Sequence, residues 1–229
     1  MRVARLIFAS VLAVSAALPA RGADKGPESY VIFCNGQPVG SSVIRFRTNG
    51  DELVVETSVS ARITAGFLTL FTYRHAGREV WRGDRLVALD TQTDDNGNRM
   101  AVSGRATPEG FQVRGVDGPA LVSPDIRPTS YWRHDAMQQH RLLDTENGRV
   151  LAVTATEIGR PAGQGAPRVM YRLSGQLKHE LTLSYEQDRL VAAGFRKLGS
   201  DIEIVVDDEV DAAQIAAGTA AASTAAEGR

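Results

Sequence analysis

Apolar and polar residues alternate along most of this chain. Val55, Thr57, Val59, Ala61 and Ile63 interleave with Glu56, Ser58, Ser60 and Arg62. Leu181, Leu183 and Tyr185 interleave with Thr182, Ser184 and Glu186, and Ile202, Ile204 and Val206 repeat the pattern near the end. A period of two turns one face of a strand to a core and the other to water. Four Asn-Gly pairs, at 35–36, 49–50, 96–97 and 147–148, separate such runs. Asn-Gly accepts the positive φ values of a type I′ turn, so each pair predicts a hairpin. Softer turns fall at Pro108-Glu109-Gly110, Gln187-Asp188 and Gly199-Ser200.

Strands are predicted over 29–34, 41–48, 53–63, 68–75, 78–83, 85–93, 99–106, 111–115, 150–158, 168–175, 179–186, 190–197 and 202–208. Short connections make sequential strands antiparallel neighbours. Between Pro124 and Leu143 the alternation stops, and Pro128 with Thr129 predicts the start of a short helix carrying Trp132 and Met137. The expected fold class is all-β and mainly antiparallel. It is a curved meander sheet or incomplete β-barrel, with one short helix covering the concave face.

The ends differ from this middle. Arg2 and Arg5 precede an uncharged run from Leu6 to Ala20, and small residues follow up to Asp24. That order is a secretory signal peptide, here 1–23, too short in its apolar part for a spanning helix. The expected location is the periplasm, reached through cleavage of this segment, with no transmembrane segment in the mature chain. Residues 24–210 form one domain, and 211–229 are an Ala-rich tail with little to bury. Residues 1–23 hold three Arg and no acid, so what remains has 23 basic against 27 acidic side chains, a net charge of −4 with His neutral. No basic stripe remains, which counts against nucleic-acid binding and against electrostatic docking to anionic lipid heads. Cys34 is the single cysteine, which excludes an internal disulfide and reads as a small buried hydrophobe within Tyr30–Cys34.

The succession of features has a likeness. Tyr30 leads to Asn35-Gly36 and Gly40, followed by two long alternating strands. Tyr73-Arg74, Glu79-Val80-Trp81, Asn96-Gly97, Tyr131-Trp132 and Leu142-Leu143 before Asn147-Gly148 complete it. Over residues 29–208 this resembles a family of secreted proteobacterial proteins catalogued as a domain of unknown function. More distantly it is similar to the periplasmic lipoprotein carriers, curved antiparallel half-barrels closed by helices. The second resemblance implies a concave apolar surface able to hold acyl chains, an analogy at the level of fold.

Catalytic signatures are absent. There is no Gly-x-Ser-x-Gly elbow, phosphate loop, dinucleotide fingerprint or His-Glu-x-x-His, and no cofactor is expected. His75, His134, His140 and His179 lack ligand spacing. Asp94-Asp95-Asn96-Gly97-Asn98 reads as a hairpin tip, since it lacks the flanks of a calcium loop. Phe67, Phe71 and Tyr73 share one parity of their strand while Leu68 and Leu70 hold the other, so both faces are apolar. Such a strand is covered twice, or one side meets a ligand, partner or membrane. The expected ligand-binding residues are Phe67, Leu70, Tyr73, Trp81, Tyr131 and Trp132, lining the mouth of an apolar cleft. Arg74, Arg78, Arg82 and Arg85 around Trp81, with Arg133 beside Trp132, suit either an anion or cross-strand ion pairs. The expected function is non-catalytic binding of a lipid or other hydrophobic small molecule. The alternatives are an envelope protein partner, or an enzyme built on Arg78, His75 and His134.

Overall fold

The computed structural model describes residues 26–160, 167–197 and 199–207; the expected signal peptide at 1–23 and the expected tail at 211–229 lie outside them. Its strands are β1 (Glu28–Cys34), β2 (Gln37–Asn49), β3 (Glu52–Ala65), β4 (Leu68–Arg82), β5 (Arg85–Asp95), β6 (Asn98–Thr107), β7 (Gly110–Gly115) and β8 (Gly118–Val122). After a two-residue β9 (Arg127–Pro128) come β10 (Arg141–Leu143), β11 (Val150–Gly159), β12 (Arg168–Gly175), β13 (Leu181–Glu186), β14 (Arg189–Lys197) and β15 (Ser200–Val206). All fifteen join one sheet in the order 8-7-6-5-4-3-2-1-15-14-13-12-11-10-9. Every pairing is antiparallel except β9 with β10.

The sheet is therefore two meanders fused where the first and last strands meet, with Tyr30 opposite Val206 and Cys34 opposite Ile202. It is open, because β8 and β9 do not pair. Curvature nevertheless brings the wings together: the Val116 N–H donates to the Asn147 carbonyl at 2.9 Å. Side-chain atoms would be in the way there, since a Cβ on Gly115 would stand 2.1 Å from the Asn147 oxygen.

Turn chemistry behaves as the residue types dictate at two of the four Asn-Gly pairs. Asn35-Gly36 and Asn96-Gly97 both take positive φ at each residue, closing β1–β2 and β5–β6. At the second pair the positive φ falls on Gly50. Asn147-Gly148 lies in the longer loop that closes the antiparallel β10–β11 hairpin, with positive φ at Gly148 alone, and this loop meets β7.

Three expectations are corrected. The strands placed at 68–75 and 78–83 are one, β4, which runs through Gly77 without a break. A strand at 118–122 was not expected; it is an edge, where the missing N–H of Pro119 costs no ladder bond. The helix does not start at Pro128, which lies in β9, and is instead a 3-10 turn over His134–Gln138. Tyr131 breaks any helical run with φ +56, and Arg133 is extended.

Two large cores pack against the curved sheet. One packs Phe46, Val55, Trp81, Leu89, Phe111 and Trp132. The other packs the 3-10 turn, through Ala136 and Met137, against Leu142, Leu173, Leu183 and Tyr185. Burial of this much apolar surface is the main stabilising term, at about 25 cal/mol per Å². Cys34 is buried in a third, smaller cluster with Ile32 and Ile202.

Candidate functional site

Between these cores the concave face is not filled by side chains. It encloses a cavity of about 480 Å³, within the range of about 300–1,000 Å³ usual for ligand pockets. Its walls come from both sides of the β1–β15 junction. Val59, Ala61 and Ile63 of β3 face Phe195 of β14 and Ile202 and Ile204 of β15. Alternation in β3 does this directly, since its odd positions point inward and Ser58, Ser60 and Arg62 outward.

On β4 a bulge changes the count. Ile63 pairs with Phe71 but Thr64 pairs with Thr69, which leaves Leu70 as an extra residue. A bulge re-aims side chains, and here Leu70 and Phe71 both reach the cavity although they are adjacent in sequence. Leu70 is 53% exposed and so stands where the cavity opens.

The far end is hydroxyl-rich. Thr129, Ser130 and Tyr131, from the strap before the 3-10 turn, join Thr57, His75 and Thr145 there. The Tyr73 hydroxyl donates to Glu146 at 2.7 Å, and His75 Nδ1 lies 2.8 Å from the Thr93 hydroxyl. Burial pushes the His75 imidazole down despite the nearby Glu146, so it is neutral at neutral pH. Burial likewise pushes the Tyr73 and Tyr131 phenols far up. Tyr131 holds a left-handed backbone that an aromatic residue rarely adopts. It is pinned by its carbonyl, which accepts the Tyr185 hydroxyl at 2.9 Å.

Of the described lining residues, Lys197 carries the charge, and that charge is committed. Its ammonium lies 3.2 Å from Asp95 and 3.8 Å from the centre of the Phe71 ring. Burial alone would raise the Asp95 carboxyl; Lys178 and Lys197 outweigh it and hold the group below the usual carboxylate range. The interior thus offers apolar walls and neutral hydrogen-bonding groups.

The sequence-predicted residues divide among three places. Leu70, Tyr73 and Tyr131 line the cavity. Trp81, fully buried, and Trp132, 9% exposed, lie in the core and not on the cavity wall. Their indole N–H groups converge on one buried carboxylate oxygen of Glu79, at 2.8 and 3.0 Å. Phe67 is wholly exposed at the β3–β4 turn. What the sequence reading missed is the β14–β15 wall, because nothing local announces that the last strands pair with the first.

The other chemical candidates stay apart. His134 stacks on Tyr185 with ring centres 4.6 Å apart, His75 faces the cavity, and Arg78 is exposed. Arg133 stacks over Trp81 at 4.7 Å but is tied to Asp135 and Asp84, each at 2.7 Å. Arg82 pairs with Asp51 and Glu52. Among the described residues no group of three or more His, Cys, Asp or Glu could hold a metal, and no helix is long and apolar enough to cross a membrane.

No curated protein matches the sequence. Among solved structures, the crystal structure of a beta-barrel-like protein of domain of unknown function DUF1849 from Brucella abortus has a TM-score of 0.55. It covers 82% of this chain and 100% of that one at 9% identity, a likeness of fold alone. A family model matches residues 30–207, from within the first strand to just past the last. By that match the chain belongs to the family described as Domain of unknown function (DUF6134).

Proposed function

We propose that this protein is a non-catalytic periplasmic binding module that takes up the apolar part of an amphipathic molecule, an acyl chain being the simplest case. The observation that carries this is the open cavity of about 480 Å³ on the concave face, walled by aliphatic and aromatic side chains. Its hydroxyl-rich far end and neutral His75 suit an uncharged hydrogen-bonding group such as an ester, amide or alcohol. An ionised group would lose its water there with no free countercharge among the described lining residues. The order of charge and hydropathy at residues 1–23 supports export.

Native mass spectrometry of protein released gently from the periplasm, followed by lipid extraction, tests the reading. A stoichiometric lipid adduct is expected. Val59→Trp places a large ring in the cavity and abolishes the adduct, while the β-sheet circular dichroism and melting temperature persist. Leu70→Glu, which sets a charge at the opening, does the same. An apo mass throughout, or adducts untouched by both substitutions, sinks the proposal.

A further inference from the structure

We propose that the tip of the β3–β4 hairpin is a membrane-docking element that seats the cavity opening against an anionic bilayer surface; what then passes into the cavity rests on the binding role proposed above. Phe67, Leu68 and Leu70 are 104%, 57% and 53% exposed, three large apolar side chains within four positions. Scattered apolar residues on a surface mean little, but a contiguous group is a contact site.

The tip stands clear of its neighbours. The β4–β5 ladder ends at Tyr73 opposite Asp95, and the β2–β3 ladder ends at Gly40 opposite Ala61, whereas β3 and β4 stay paired out to Ala65 and Leu68. The hairpin therefore reaches beyond the sheet as a two-stranded finger, and Leu70 places its base at the cavity opening.

Charge selects the occupant. From Thr57 to Arg78 the hairpin has no acidic residue, and Arg62 and Arg74 flank the tip; Arg74 lies opposite Asp94 of β5, and Arg78, further down, lies between Glu56 and Asp90. All three arginines are exposed, and none forms an ion pair among the described residues. Arg62 and Arg74 sit on the outward parity of their strands, two rungs or fewer from each other across the ladder. An apolar end with a cationic collar matches the depth profile of a bilayer, where acyl chains lie beneath anionic head groups. Two copies meeting tip to tip would instead set these arginines against one another. Neither a short apolar insertion nor a few cations suffices alone, but together they give reversible attachment.

Flotation of the purified protein with phosphatidylethanolamine–phosphatidylglycerol vesicles, and with phosphatidylcholine vesicles, reads this directly. The wild type floats with the anionic vesicles. The double variant Phe67→Ser with Leu68→Ser loses partitioning by about tenfold or more, yet keeps its melting temperature and any adduct seen by native mass spectrometry. Arg62→Gln with Arg74→Gln removes the preference for anionic over neutral vesicles. Val59→Trp floats as the wild type does. Wild-type protein that stays with the unbound fraction, or a Phe67/Leu68 variant that floats undiminished, overturns the proposal. So does a tip variant that turns a dimer into a monomer by analytical ultracentrifugation, since the tip would then be a contact between copies. Flotation without any lipid adduct would leave docking standing and remove the binding role.

Discussion

Glu79 is an acid buried in the core beside Trp81 and Trp132. Burial raises its carboxyl above the usual glutamate range, while hydrogen bonds from Ser130, Trp132 and Trp81 and the charge of Arg133 pull the other way without cancelling it. The folded state thus holds the Glu79 proton more tightly than the unfolded chain does. Its contribution to stability is full below the ordinary glutamate value and is lost as pH rises toward the raised one. Glu79→Gln keeps an oxygen for the two indole donors and removes the charge, so chemical unfolding across that acidic window is expected to show a flatter pH dependence than the wild type. An unchanged slope would mean that other carboxylates carry it. Glu79→Ala strands both indole N–H groups; at about 1–3 kcal/mol for each orphaned donor, a loss of about 2–6 kcal/mol is expected. The arginines near Glu79 in sequence suggest a cross-strand surface ion pair, whereas the structure buries it with the Trp81 indole on its carboxylate. That Trp132 joins Trp81 there depends on a strap 53 residues away.

At the level of elements, alternation and turn residues made most strands legible, and the failures have local causes. Ala76-Gly77 resembles a break, but β4 runs through it because both residues are paired on either side, with Ser58 and Thr57 of β3 and with Gln92 and Thr91 of β5. Pro119 conceals a strand that survives only as an edge. The bulge at Leu70 has no sequence signature, so parity assigned Phe71 and Leu70 to opposite faces when both reach the cavity. The meeting of the wings is also invisible locally, and it makes a sharp prediction. Gly115 touches the Asn147–Gly148 backbone so closely that a Cβ would lie 2.1 and 2.8 Å from its atoms. Backbone gives less than a side chain does, so Gly115→Ala is expected to cost about 1–3 kcal/mol by forcing the seam apart. That lowers Tm by a few degrees or more in a domain of this size. Gly159→Ala, where a Cβ meets nothing within 4 Å, serves as the comparison and should leave Tm nearly unchanged. Equal melting temperatures for all three proteins would show the seam to be slack.

Across the whole molecule, one long-range pairing organises everything the local pattern could not reveal. β1 and β15 are neighbours in the sheet, and the Asp207 N–H donates to the Ser29 carbonyl at 2.7 Å. Every other ladder joins strands close in sequence, so this single junction accounts for the costliest loop closure in the fold. It also creates the cavity, because Ile202 and Ile204 face β3 only once β15 lies beside β1. A circular permutant tests both claims. Joining Asp207 to Gly26 through a short flexible linker makes β15–β1 a local hairpin. Opening the chain at Ser123–Pro124, an exposed stretch between the two sheet edges, puts the new ends where no ladder is cut. The permutant is expected to keep its Tm and its lipid adduct, and to refold faster than the wild type in stopped-flow measurements, by about tenfold or more. Refolding at the wild-type rate would place the slow step elsewhere, in the strap that threads Trp132 between Phe46 and Trp81. Loss of the adduct with Tm intact would mean that the order in which the wings assemble, and not their final contact alone, shapes the cavity.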